Sequence, residues 1–121
     1  MESVKGLKKL LNTLEKLPKE MDTEVDIIVE SNAQDIERDA KRLAPKDTGY
    51  LARSIYTNKV KPKTYKVASY ASYAPFVEYG KPIGTGPNGG PKPFLFPAFR
   101  MGVKRFRKDL EKFLDIKFGK I

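Results

Sequence analysis

The stretch Ala44-Pro45-Lys46-Asp47-Thr48-Gly49-Tyr50-Leu51-Ala52-Arg53-Ser54-Ile55 decides the fold. Before it, apolar residues recur at helical spacing; after it, β-branched and aromatic residues partly alternate. Pro45 stops the helix, because proline donates no amide and pushes the residue before it out of the helical region. Asp47 or Thr48 can cap free amides, and Gly49 relaxes the backbone. Residues 47–54 therefore read as a tight turn followed by a short helical turn.

Upstream, residues 19–43 predict a long helix. Its apolar stripe is Met21, Val25, Ile28, Val29, Ala33, Ile36, Ala40 and Leu43, and its opposite face is acidic. A rod of about 24 residues measures roughly 35 Å, long for so short a chain. One end is therefore expected to lack intramolecular cover and to meet a neighbouring subunit. Residues 3–17 predict an earlier helix, with Ser3 as its cap, leucines at spacings of three and four, and Pro18 as its stop.

Downstream, residues 55–60 and 64–70 flank the turn Lys61-Pro62-Lys63 and read as a β-hairpin. Residues 71–80 predict a short helix ending at Gly80. Residues 81–93 hold four prolines and four glycines and read as an exposed irregular loop. Residues 96–117 predict the last helix, with Pro97 in its first turn and Phe99, Val103, Phe106, Leu110, Phe113 and Leu114 as its stripe. The whole, residues 1–121, is one α+β domain: two N-terminal helices, a small antiparallel sheet built on a hairpin, a short helix, a long Gly/Pro loop and a C-terminal helix.

Composition narrows the chemistry. The chain has 121 residues, no cysteine and no histidine. This excludes disulfides, thiolate nucleophiles, imidazole metal ligands and Ser-His or Cys-His catalysis. Glu2, Lys5, Lys8 and Lys9 fill the first turn, so no signal peptide is expected. The net charge of +9 is uneven. Residues 1–43 carry 8 basic and 10 acidic side chains; residues 44–121 carry 16 and 5. Two faces with different neighbours are implied, one of them suited to nucleic acid or an acidic protein surface.

Several local motifs tempt and fail. Asp47-Thr48-Gly49 matches the aspartic-protease triplet, which there follows an apolar strand in an all-β fold; here it follows a helix end. Gly84-Thr85-Gly86-Pro87-Asn88-Gly89 has dinucleotide-binding spacing, but prolines flank it where a strand and a helix are required. Glu78, the one acid between Asp47 and Asp109, is better read as a cap or as a partner of Arg53 or Lys81 than as a catalyst. Arg100, Lys104, Arg105, Arg107 and Lys108 could contact phosphates; a solvated face, or one pairing with the acidic helix, explains them equally well.

Three motifs in order carry a stronger signal than any of these. They are Ala44, Pro45, Asp47, Thr48, Gly49, Leu51, Ser54 and Ile55; then Tyr73, Ala74, Val77, Glu78 and Gly80; then Pro93, Phe94, Leu95, Pro97 and Ala98. In order and spacing the chain resembles the tail-completion or tail-component family of long-tailed bacteriophages. It departs at Arg53, where a polar residue such as Asn is common, and in a longer loop at 81–92. The resemblance implies a structural virion protein of the head–tail junction that assembles as a hexameric ring. It further implies docking between connector or adaptor and tail-terminator or tail-tube proteins, and synthesis in the host cytoplasm. It implies no catalytic, cofactor or metal site and no membrane contact, with the basic last helix the candidate for touching DNA in the lumen. A nucleic-acid-binding module using that helix is the alternative.

Overall fold

The computed structural model describes residues 16–46, 49–80 and 91–119. A 3-10 turn at Lys19–Met21 leads into helix α1, Asp22–Leu43. A four-residue helix α2, Tyr50–Arg53, precedes strands β1, Ile55–Lys61, and β2, Thr64–Ser69. Helix α3, Ala74–Tyr79, and helix α4, Leu95–Phe118, complete the order. The fold is α+β, with element bounds within three residues of those expected from sequence. The expected helix at 3–17, the caps Asp47 and Thr48, and residues 81–90 of the expected loop lie outside the described residues, apart from residues 16 and 17.

Helix α1 is the base on which the hairpin and α4 both rest. It ends where expected, with Ala44 already extended at ψ 137° ahead of Pro45. Helix α4 runs antiparallel to it. Lys117 pairs with Glu24 at 3.0 Å, Asn32 Nδ2 donates to Asp109 Oδ2 at 2.9 Å, and Arg105 reaches Asp39 at 2.8 Å. The helices pack tightly at Gly102, where a Cβ would stand 2.2 Å from Ile36 Cγ1. Only glycine permits that approach.

This pairing corrects one expectation. The long helix has no uncovered end, because α4, with 24 residues against 22, covers its length. What remains open is a flank: Ile27 is 58% exposed.

The sheet has two strands, paired antiparallel from Ile55↔Ser69 to Lys61↔Thr64, with a slip between Lys59 and Lys61. Such a hairpin is marginal alone in water. Here Ile55, Thr57, Tyr65 and Val67 face α1 and are buried or half-buried, while Tyr56, Asn58, Val60 and Lys66 face outward. The tight turn puts Lys63 at φ 65°, a left-handed conformation that costs a non-glycine residue about 1 kcal/mol. Its amide donates to Asp26 Oδ1 at 2.7 Å, which offsets that cost.

The main core contains Ala33, Ile36 and Ala40 of α1, Val67 of β2, and Ala44, Leu51, Ile55, Ala74, Phe94 and Ala98. The last six all come from the three sequence motifs. A second cluster, Val25, Phe113 and Leu114, lies at the other end of the helix pair with Leu17 and Met21 against it.

Candidate assembly surface

The second and third motifs meet at Glu78. Its side chain is buried at 6% exposure and accepts three backbone amides. Phe94 N donates to Oε1 at 3.2 Å, Leu95 N to Oε1 at 2.9 Å and Phe96 N to Oε2 at 3.2 Å. These are amides at the start of α4, which have no partner inside the helix, and the helix dipole favours a negative charge there. Glu78 thus caps α4 from a distance of 16 residues in sequence. Nearby, Lys92 N donates to Val77 O at 2.8 Å, so both ends of the intervening segment are tied together. Of the two sequence readings, capping is the one observed: the amides of α4 take the carboxylate, with no ion pair to Arg53, and Lys81 lies outside the described residues.

The first motif is tied to β2 in the same manner. Ser54 Oγ donates to Leu51 O at 2.6 Å and meets Ser69 Oγ at 2.9 Å, and Tyr70 N donates to Ser54 O at 2.9 Å. Gly49 occupies the cap position of α2 at φ 76°, a conformation glycine adopts without strain. Gly80, at φ 95° and ψ 157°, ends α3. Ala74 is buried, Val77 and Pro97 are half-buried, Tyr73 and Pro93 are exposed. The motif residues therefore build junctions.

The cationic residues of α4 do not form one face. Arg105 turns toward α1, where Asp39 is 8% exposed and also has Arg38 and Arg42 at 3.7 Å. The Arg105–Asp39 contact is a charge pair by distance without hydrogen-bond alignment. Arg107 pairs with Glu111 at 2.9 Å. Arg100, Lys104 and Lys108 remain exposed, without an ion pair among the described residues.

A further electrostatic node fixes the hairpin tip. Asp26 accepts the Lys63 amide, the Tyr65 hydroxyl at 2.9 Å and Lys59 Nζ at 3.2 Å. The Lys63 amide, foremost, holds the Asp26 carboxyl below the usual range, against a smaller opposing effect of burial. The bond to Asp26 raises the Lys59 ammonium. Burial, then the bond to Asp26, raises the Tyr65 phenol. At Glu37 burial pushes upward, but Thr57 and Lys41 outweigh it and the carboxyl is lowered. The sequence put both on the acidic face of α1; Lys59 of the hairpin claims Asp26, while Lys41 of α1 itself pairs with Glu37. Asn32 and Asp39 were also missed as buried polar residues. Their signal was available, since both fall in phase with the apolar stripe.

The surface that remains is unusually aromatic. Tyr50 and Tyr73 have ring centroids 6.1 Å apart, Tyr56 and Tyr70 5.7 Å, Tyr79 and Phe96 5.7 Å edge to face. All six rings are 39% to 68% exposed. An open apolar hollow of about 310 Å³ lies among Val67, Pro75, Tyr79, Phe96 and Phe99. Exposed aromatic rings clustered at this density mark interaction surfaces rather than ordinary solvated faces.

The family model described as "Bacteriophage HK97-gp10, putative tail-component" matches residues 8–80. The chain belongs to that family. It is therefore a structural tail component of a bacteriophage virion, a role that works through contacts with other virion proteins. The match covers the first two motifs, and the Glu78 cap joins the third to them in space. No curated protein and no solved structure matches the chain. Among the described residues no helix is long and apolar enough to cross a membrane, and no cluster of acids could hold a metal ion.

Proposed function

We propose that this tail component acts at the head–tail junction, where copies assemble into a ring, hexameric in the virion, that docks the connector to the tail. Membership in the tail-component family supports the setting, and the exposed paired aromatics carry the self-assembly reading. Rings expose such side chains before assembly and bury them against neighbours afterward. The residues around them are held rigid by the Glu78 cap and the Ser54 bonds, so little ordering entropy is spent on docking.

The direct test is a phage lacking this chain. Heads and tails are expected to accumulate unjoined, and supplying the chain in the host should restore joined particles. Particles that join normally without it would overturn the reading. Contact with DNA in the lumen is the second reading, favoured by the exposed cations Arg100, Lys104 and Lys108. Three phosphate contacts give a slope of about −2.7 in log affinity for duplex DNA against log salt. A flat dependence dismisses this second reading.

A further inference from the structure

We propose that copies of this chain join head to tail: the outer face of the hairpin of one copy seats on the acidic flank of α1 in the next. The proposal rests on the self-assembly reading above and names the two surfaces that would carry it.

The first surface is the outward side of the hairpin. Tyr56 is 52% exposed, Val60 61% and Tyr70 51%. The Tyr70 hydroxyl accepts Asn58 Nδ2 at 2.7 Å, so the pair of rings is held in place. The charges on this side are Lys61 and Lys66, both exposed and neither in an ion pair among the described residues. Lys59 and Lys63, by contrast, are already committed to Asp26 and Asp22. Residues 48–77 contain no acid at all.

The second surface is the flank of α1 left open by α4. Its centre is apolar, with Ile27 58% exposed and Ile116 of α4 70% exposed. Between them Ile28, Ser31 and Phe113 line a shallow hollow of about 330 Å³, with Asp109 and Lys112 at its edge. Residues 20–37 contain seven acids and no base. Glu24 and Glu30 lie three residues either side of Ile27, and Glu20 lies seven before it, so all three border that centre on adjacent helical turns. Glu20 forms no ion pair among the described residues, and Glu30 has only the Tyr65 hydroxyl at 3.5 Å.

Each surface thus has an apolar centre with a charged border: the hairpin's is basic, and the α1 side of the flank is acidic, with Lys112 at the hollow's edge and Glu24 already paired with Lys117. That is the anatomy of a specific interface, where the centre supplies affinity and the border supplies orientation. Like-with-like contact is disfavoured on both sides: hairpin against hairpin opposes lysines, and flank against flank opposes glutamates. The two surfaces are different patches of one chain, so their contact is heterologous and propagates from copy to copy.

The absence of cysteine allows a clean test. Val60→Cys and Ile27→Cys both place thiols at exposed positions. Under mild oxidation the double variant should give a ladder of covalent dimers, trimers and larger species. Each single variant should stay monomeric, and an equimolar mixture of the two should stop at the dimer. Dimers from either single variant alone, or no ladder from the double variant, overturn the proposal. As a second measurement, Lys66→Glu should weaken self-association in sedimentation at least tenfold, and adding Glu30→Lys should recover most of it; an additive loss overturns the pairing of borders. If wild type sediments as an oligomer but no ladder forms, the surfaces are wrong and self-assembly stands. If wild type is monomeric at every concentration and no ladder forms, both fall.

Discussion

The two ends of this molecule satisfy their polar groups differently. Around the three motifs, partners are mostly backbone: Glu78 takes the amides of Phe94, Leu95 and Phe96, and Ser54 bonds Leu51 O and Ser69. Along the helix pair and the hairpin tip, charged side chains take a larger share: Asp22 pairs with Lys63 and Glu24 with Lys117, while Asp26 joins Lys59 to the Lys63 amide. Backbone partners fix the path of the chain and are hard to replace. Exposed ion pairs add little each and are screened by salt. The motif end is therefore built for one shape, and the helical end for registry between elements that hydrophobic contact already holds.

The largest expected effect comes from breaking the motif end. Glu78→Ala leaves three amides at the start of α4 without a partner in a buried setting, and should cost about 3 kcal/mol in urea unfolding. Glu78→Gln should recover only part, because its amide nitrogen brings donors against donors. If the midpoint of Glu78→Ala shifts no more than that of an exposed control such as Glu20→Ala, the cap is not what holds the second and third motifs together.

Next comes the crossing of the long helices. A Cβ at residue 102 would overlap Ile36 Cγ1 and Cδ1 at 2.2 and 2.6 Å. Gly102→Ala should cost about 2 kcal/mol, the usual range for overpacking. In Ile36→Ala the space is vacated, so the same glycine change should become near neutral or favourable. A double-mutant cycle with no coupling would show that the helices part readily at this point.

Gly49 comes third. At φ 76°, with a Cβ 2.9 Å from Arg53 Nη1, Gly49→Ala should cost about 1 kcal/mol in urea unfolding, most of it backbone strain because the guanidinium can move. The expected larger penalty for Gly49→Val follows from its branched side chain in the same conformation.

These three sites also show what could be read before the fold was known. The turn at Gly49 was legible because a glycine just past a helix stop is most often there for its backbone freedom. The helix–hairpin–helix order was legible because periodicity changes sharply at Ala44–Ile55 and again at Gly80. Glu78 was legible as a cap or an ion partner but not as a cap of a helix 16 residues on, since nothing local says which amides will come near it. Gly102 gave no signal, because a single glycine in a helical stripe does not reveal the neighbour that crosses it. The acidic face of α1 was legible but its partners were not: periodicity assigns a side of a helix, and only the hairpin's position decides that Asp22 and Asp26 are bound by lysines.

The smallest expected effect lies at the hairpin tip and tests the charged end alone. The Asp26 carboxyl is lowered in the fold, chiefly by the Lys63 amide, so its contribution is fully present above the ordinary aspartate range, near pH 4. It should fade as pH falls through the lower folded value, because the unfolded chain then binds a proton more readily than the fold does. Lys59 and Tyr65 are raised, so their contribution is present below about pH 10 and fades as pH climbs through their folded values. The tip should therefore loosen at both extremes while the motif end stays closed. Amide exchange resolved by residue would show it, with the Lys63 amide losing protection in acid before the Leu95 amide does. Asp26→Asn should abolish the acid limb specific to Lys63. Equal loss at both amides would mean that tip and motif end open as one unit, and the contrast between them would vanish.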